Sequence, residues 1–319
     1  MDNIFNALTA TVLFAGATVE VGANLIYKKI LTNDGIKDTD LRMVGIHKEF
    51  EKVYSNSFIQ NGKKWYDEHE NTVVYVTSSV GDTITADIYM NENETDLWVI
   101  CCHGYKSVPR DFGGVAEEFE KMGCNVLFPH LRGHGRSECK FVGMGWSDRL
   151  DVIRWIDYIN ENYPNAQIIL YGVSMGASCV MMTTGEQLPD NVICAVEDCG
   201  YTSVWDILQY QMKERYKIPA FPILNRVLQV YKRKTGFDLK EASALNQVKK
   251  SNTPTLFIHG ENDTFVPCYM MRMVFEAASC EKEKYIVHGA GHAGSMLTAG
   301  EGYFERINSF VKKYIKQPE

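Results

Sequence analysis

Apolar positions in this chain change texture near Trp65. Upstream, Leu8, Val12, Ala15, Val19, Ile26 and Ile30 recur at spacings near three and four, which is one face of an amphipathic helix. Lys37 to Gln60 also reads as helical, with mixed charge. Downstream, Thr72–Ser79 and Thr83–Met90 are rich in β-branched and aromatic residues and flank Val80-Gly81-Asp82, which predicts a hairpin. Strands are then expected over Leu97–Cys102, Cys124–Phe128, Gln167–Tyr171, Val192–Val196, Thr255–Ile258 and Lys284–Val287. Helices are expected over Phe112–Met122, Ser147–Asn162, Met175–Thr184 and Tyr303–Ile315. Ser147 reads as an N-cap, with Asp148 in the favourable first turn. Between Tyr201 and Ser251 the alternation breaks into a helical, aromatic stretch with Trp205, Tyr210, Tyr216, Phe221, Tyr231 and Phe237.

Strand–helix alternation predicts an α/β fold: a mostly parallel sheet with helices on both faces. The expected organisation is a helical extension over 1–66, a core over 67–200 and 252–319, and a helical insertion over 201–251. At 319 residues, 45% hydrophobic and 23% charged, the chain can bury a large core without metal or disulfide staples. Lys plus Arg number 33 against 40 acidic residues, a net charge of −7, and no basic stripe occurs, so no nucleic-acid partner is expected.

Residues Ile4 to Val19 carry no charge, but no Lys or Arg precedes them, against a secretory signal. Glu20 falls inside the candidate membrane window, where a central acid costs about 2.5–3.5 kcal/mol. The expectation is a helix packed on the domain or a partner, with membrane-surface contact as the alternative and no spanning segment. Nine cysteines cannot all pair, none shows CxxC spacing, and Cys101, Cys102 and Cys194 sit in apolar runs. They read as reduced packing residues of a cytoplasmic protein.

The sharpest chemical pattern is Gly172-Val173-Ser174-Met175-Gly176, directly after one expected strand and opening a helix. A tight strand-to-helix turn thrusts the serine hydroxyl into a cleft, and small residues on either side let the backbones pass. The hydroxyl needs a base. His292, in Gly289-Ala290-Gly291-His292-Ala293-Gly294, follows the last expected strand and is preferred to His288 at the strand end. The imidazole needs an acid to set its tautomer. Asp263 lies 89 residues after Ser174 and 29 before His292, and is preferred to Asp198, whose alternative is a turn-capping carboxylate. Backbone N–H groups of Met175 and Tyr105 are the expected oxyanion donors. His103 is expected to support the Tyr105 loop and not to move protons.

Together, His103-Gly104-Tyr105, Arg132-Gly133-His134-Gly135-Arg136-Ser137, Gly172 to Gly176, Asp263 to Pro267 and Gly291-His292 resemble the α/β-hydrolase superfamily. The likeness is to its esterase, lysophospholipase-like and serine-aminopeptidase-like branch, and spans about residues 72 to 316. The resemblance implies an eight-stranded sheet, Ser174 as nucleophile, His292 as base, Asp263 as acid, Tyr105 and Met175 as oxyanion donors, and residues 201–251 as a cap. His130 stands where relatives usually carry Asp, which puts the local loop geometry in question. The expected activity is carboxylic ester hydrolysis on a small-molecule substrate with no metal or organic cofactor; Trp146, Trp205 and Tyr210 are candidates to line the pocket. The alternatives are an aminopeptidase-like amidase, with Glu197 and Glu186 as candidate amine-binding carboxylates, and a non-catalytic binding module.

Overall fold

The computed structural model describes residues 19–34, 53–215 and 217–316. Eight runs of β-forming residues pair into one sheet: β1 Thr72–Thr77, β2 Thr83–Tyr89, β3 Leu97–Cys102, β4 Asn125–Pro129, β5 Gln167–Val173, β6 Val192–Asp198, β7 Thr255–Gly260 and β8 Lys282–Val287. Their spatial order is β1-β2-β4-β3-β5-β6-β7-β8. The expected hairpin pairs β1 with β2, and β2 runs antiparallel to β4; every later pairing is parallel. The β3, β4, β6 and β7 strands are buried at every position, because helices cover both faces of a parallel sheet.

The helices are α1 over 19–30, then α2 Ser57–Glu68, α3 Gly113–Lys121, α4 Asp148–Asn162, α5 Met175–Thr184, α6 Val204–Glu214, α7 Ile223–Thr235, α8 Ala244–Gln247, α9 Tyr269–Ala277, α10 Ser295–Ala299 and α11 Glu301–Val311. Two cores result. On one face Val115 and Phe119 of α3 and Tyr303, Ile307 and Phe310 of α11 pack on Val99, Val126 and Ile169. On the other, Val152 and Trp155 of α4 and Cys179 and Val180 of α5 pack on Ile100, Leu127 and Leu170. Helices α6 to α8 lie between β6 and β7 in the chain.

Several boundaries differ from expectation for identifiable reasons. The β5 and β6 strands run two residues further, because Gly172 pairs with Glu197 and Val173 with Asp198 regardless of polarity. The closing helix starts two residues earlier, at Glu301, because Gly300 at a φ of 56° separates it from the short helix before it, and it stops at Val311 instead of Ile315. Ser147 is not a side-chain cap: its backbone is already helical at φ −74° and ψ −32°. Asp148 instead accepts from the Gly145 and Arg132 N–H groups, each at 2.8 Å, and ties the start of α4 to two loops.

Leu8, Val12, Ala15 and positions 37–52 lie outside the described residues; within the stretch expected to end at Gln60, α2 starts at Ser57 with Asn56 as its N-cap and runs on to Glu68. α1 lies on α7 of the insertion. Glu20 pairs with Arg226 and, at 3.3 Å, with Arg233, and Tyr27 meets the Tyr231 ring at 6.3 Å. No helix among the described residues is long and apolar enough to cross a membrane. All nine cysteines are buried and none is in a disulfide.

Candidate active site

The β5 strand delivers Ser174 to the turn at a φ of 58° and a ψ of −114°, and α5 begins at the next residue. A non-glycine residue held there stores about 1–3 kcal/mol, which persists only where the surroundings over-determine it. They do so here through close backbone passage. A Cβ on Gly172 would lie 2.3 Å from the Gly176 carbonyl oxygen, and one on Gly176 would lie 2.0 Å from that of Cys102. The Ser174 N–H donates to the Asp198 carbonyl at 2.8 Å. The loop after β3 runs against the serine: a Cβ on Gly104 would sit 3.6 Å from that of Ser174. Tyr105 follows in that loop, with its hydroxyl donating to the Ile30 carbonyl at 3.0 Å, and Met175 is the first residue of α5.

Three distant segments meet at this turn. Ser174 Oγ lies 2.8 Å from His292 Nε2, and His292 Nδ1 lies 2.7 Å from Asp263 Oδ2. The carboxylate fixes the imidazole proton on Nδ1, which leaves Nε2 to accept from the serine. Asp263 Oδ1 in turn accepts from the N–H groups of Phe265 and Val266, both at 2.8 Å. Burial works to raise the Asp263 carboxyl; the charge of His292 and the bonds from His259 and His292 outweigh it and hold the group well below the ordinary carboxylate range. The other candidate acid is occupied elsewhere. Asp198 accepts from the Ser295 and Tyr303 hydroxyls at 2.9 and 3.0 Å, so it anchors α10 and α11 and does not cap a turn through its side chain. His288 lies just beyond β8, largely exposed, beside Glu261.

Sequence reasoning missed two neighbours. His259 Nε2 lies 3.3 Å from Asp263 Oδ2 and 2.7 Å from the Val266 carbonyl, so Asp263 faces two imidazoles. The available signal was its place four residues before Asp263, at the end of β7. Phe265 packs its ring on His292, with centroids 4.7 Å apart. Helix α6 grips this acid loop: the Tyr210 hydroxyl donates to the Thr264 carbonyl at 3.2 Å and Gln211 Nε2 to that of Phe265 at 2.5 Å.

The other pocket candidates are placed differently. Trp205 borders a surface pocket with Asn225 and Lys240. Trp146 lies under the Arg149 guanidinium at 3.4 Å, and Arg149 pairs with Glu186 at 2.8 Å. Gln247 also donates to Glu186, at 2.6 Å. Glu197, fully buried on β6, accepts from the Gly200 N–H at 3.0 Å. Burial pushes its carboxyl up to about 8, against the nearby charge of His259 and the Gly200 N–H, with Asp198 adding to the rise.

The folded state therefore holds Glu197 protonated, while the unfolded chain ionises it above about 4.5. Its stabilising contribution is complete below that value and is lost as pH rises through about 8. Glu197→Gln is expected to flatten the fall in stability between these limits, read from urea midpoints across the range. An unchanged slope would exclude Glu197 as the source.

The loops around the site are stapled by histidines. His103 accepts from the Leu131 N–H at 3.2 Å and donates from Nδ1 to the Gly104 carbonyl at 2.9 Å. His134 accepts from the Lys106 N–H at 3.0 Å and donates to the Arg132 carbonyl at 3.0 Å. Both bonding patterns require neutral rings, and burial holds both below the usual histidine range, His134 down to about 4. His130 completes the loop despite departing from the family pattern. Its Nδ1 accepts from the Arg136 N–H at 3.1 Å and its Nε2 donates to Asp87 of β2 at 3.0 Å, so the carboxylate comes from the neighbouring strand. Arg136 pairs with the same Asp87 at 2.6 Å.

Known proteins agree with this architecture. The family described as "Serine aminopeptidase, S33" matches residues 93–204. The chain is 25% identical over 247 residues to the uncharacterized protein YqkD of Bacillus subtilis, covering 77% of this chain and 81% of that one. It is 25% identical over 226 residues to a monoglyceride lipase homolog of Monkeypox virus, covering 61% and 80%. Among solved structures, the Pyrococcus furiosus esterase Pf2001 superposes with a TM-score of 0.65 at 24% identity, over 80% of this chain and 96% of that one.

Proposed function

Since the chain belongs to the α/β-hydrolase superfamily, we propose that it is a serine carboxylesterase acting on small to medium acyl groups. The observation that carries this reading is the unbroken hydrogen-bond chain from Ser174 Oγ through His292 to Asp263, set beside a strained strand-to-helix turn. Ser174 Oγ attacks the ester carbonyl carbon as its proton passes to His292 Nε2. The oxygen that becomes negative is met by the N–H groups of Met175 and Tyr105, with the N-terminus of α5 adding favourable potential. His292 then protonates the departing alcohol. A water, deprotonated by the same nitrogen, releases the acid from the acyl-serine. The helical insertion serves as the cap, and its α6 positions the acid loop from above.

Ester hydrolysis is favoured over an aminopeptidase reaction by the two carboxylates that would hold a substrate amine. Glu197 is neutral near pH 7 and fully buried, and Glu186 is engaged by Arg149 and Gln247. The name of the viral monoglyceride lipase homolog agrees with ester chemistry, and the aminopeptidase description of the matching family is why the arylamides are assayed beside the esters. The test is a panel of p-nitrophenyl esters from acetate to decanoate beside aminoacyl arylamides, with fluorophosphonate labelling mapped by peptide sequencing. Labelling at Ser174 and faster turnover of the short esters are expected. Preferred turnover of the arylamides would replace the proposal with a peptidase, and absence of both labelling and turnover would leave a binding module.

A further inference from the structure

The reaction as proposed leaves a thiol at the centre unused. Cys199 follows β6 at a φ of 55°, with its N–H donating to the Ile258 carbonyl at 3.0 Å. That backbone aims the thiol at the acid and the base. The Cys199 sulfur, an Asp263 carboxylate oxygen and a His292 ring nitrogen all lie within 4.8 Å of one another, and all three residues are buried. Thiolate, imidazole and carboxylate form a three-ligand set suited to Zn2+, which binds them at about 2.3, 2.0–2.1 and 2.0–2.2 Å in tetrahedral geometry. Ligand atoms in such a site stand roughly 3.4–3.6 Å apart. The present triangle reaches that spacing if the sulfur moves inward and the 2.7 Å His292–Asp263 contact opens. The loop bearing His292 is built for such adjustment, with glycines at 289, 291 and 294.

We infer that Cys199, Asp263 and His292 form an inhibitory site for a thiophilic divalent cation of the Zn2+ type. The inference rests on reading Ser174, His292 and Asp263 as the reaction centre. Metal and catalysis exclude each other through one nitrogen. His292 Nδ1 donates its hydrogen to Asp263 in the competent arrangement. When Nδ1 binds metal, that proton moves to Nε2, and Ser174 loses its acceptor. The thiol releases its own proton to solvent, so one proton leaves per ion bound. Hard cations are poor occupants, because Mg2+ and Ca2+ require oxygen ligands in larger number.

The full chain, stripped with EDTA, is titrated with Zn2+ while p-nitrophenyl butyrate hydrolysis is followed, and with Co2+ while near-ultraviolet absorbance is followed. Inhibition by Zn2+ but not Mg2+, reversed by EDTA, is expected. Cys199→Ser, measured against its own metal-free rate, should need at least about tenfold more Zn2+ for half-inhibition, the scale of losing one contributor to a metal site. Wild type should show a thiolate-to-cobalt band at one equivalent that Cys199→Ser and Cys199→Ala lack. Equal half-inhibition of wild type and Cys199→Ser, or no such band in wild type, overturns the inference. The cobalt spectrum needs neither turnover nor a variant, so failure of the esterase reading is seen separately, as absent hydrolysis with the band intact.

Discussion

Ser174→Ala is expected to lower kcat for p-nitrophenyl butyrate by about 10⁶-fold, and Asp263→Asn by about 10⁴-fold. The two losses have different origins. Alanine removes the atom that forms the acyl bond, and any residual rate reflects binding and the backbone donors. Asparagine keeps the shape of the acid but can turn an N–H toward His292 Nδ1, which now receives a 2.7 Å contact from a carboxylate oxygen. The imidazole then carries its proton on Nε2, the atom 2.8 Å from Ser174 Oγ that must be bare. Ser174→Ala should unfold like wild type, with its deficit in kcat; Asp263→Asn should also lose stability at neutral pH, because the carboxylate that His292 and His259 hold ionised stabilises the fold there. The double variant should be no slower than Ser174→Ala alone, because the residues act as one unit. A rate for Asp263→Asn within about tenfold of wild type would remove Asp263 from the mechanism.

Arg132→Ala is expected to destabilise the fold by about 3–5 kcal/mol, the scale of breaking a buried ion pair on one side. Arg132 is almost completely buried. Its Nε and one terminal nitrogen bind the two oxygens of Asp151 at 2.6 and 2.8 Å, and the other terminal nitrogen reaches Asp82 at 2.5 Å. The guanidinium also stands over the Phe141 and Phe237 rings, at 5.6 and 5.8 Å. Removing it strands Asp151, whose carboxyl burial already pushes up to about 6, with the bonds and charge of Arg132 opposing that rise. Arg132→Lys should recover only part of the loss, since a single ammonium cannot make the forked contact. Arg132→Leu combined with Asp151→Leu should cost less than Arg132→Ala alone. Urea midpoints at neutral pH measure all of these, and an Arg132→Ala midpoint matching wild type would show that the network contributes nothing.

What the sequence disclosed follows from where each pattern is local. The Gly172-to-Gly176 turn needs small residues within two positions of Ser174, and the structure shows backbone atoms about 2 Å from where their Cβ atoms would be. The strand and helix textures around it were legible for the same reason, and the expected helix Met175–Thr184 appears with those bounds. Asp263 and His292 were recognisable as polar residues in loops just past expected strands. Pairings between distant segments were not legible. Asp87 lies 43 residues before His130, and no local pattern says that β2 supplies the carboxylate for the loop after β4. Ser147 misled because a serine before an acidic, amphipathic run has the composition of a cap, while the chain arrives already coiled and the Asp148 carboxylate binds other backbone groups. Cys199 gave no signal, since a thiol beside a strand end reads as packing until the third dimension sets it against Asp263 and His292.

The contact between the Tyr105 hydroxyl and the Ile30 carbonyl spans 75 positions of chain. With Leu31 accepting from the Val142 N–H and Glu20 held by Arg226 and Arg233, it stitches the front of the polypeptide to the wall beside the serine. A shortened version started past residue 34 would keep Ser174, His292 and Asp263 yet release that stitch. Its penalty should surface in catalytic competence before it surfaces in solubility, so the leading segment is better treated as part of the enzyme's working frame than as a handle to be cut away.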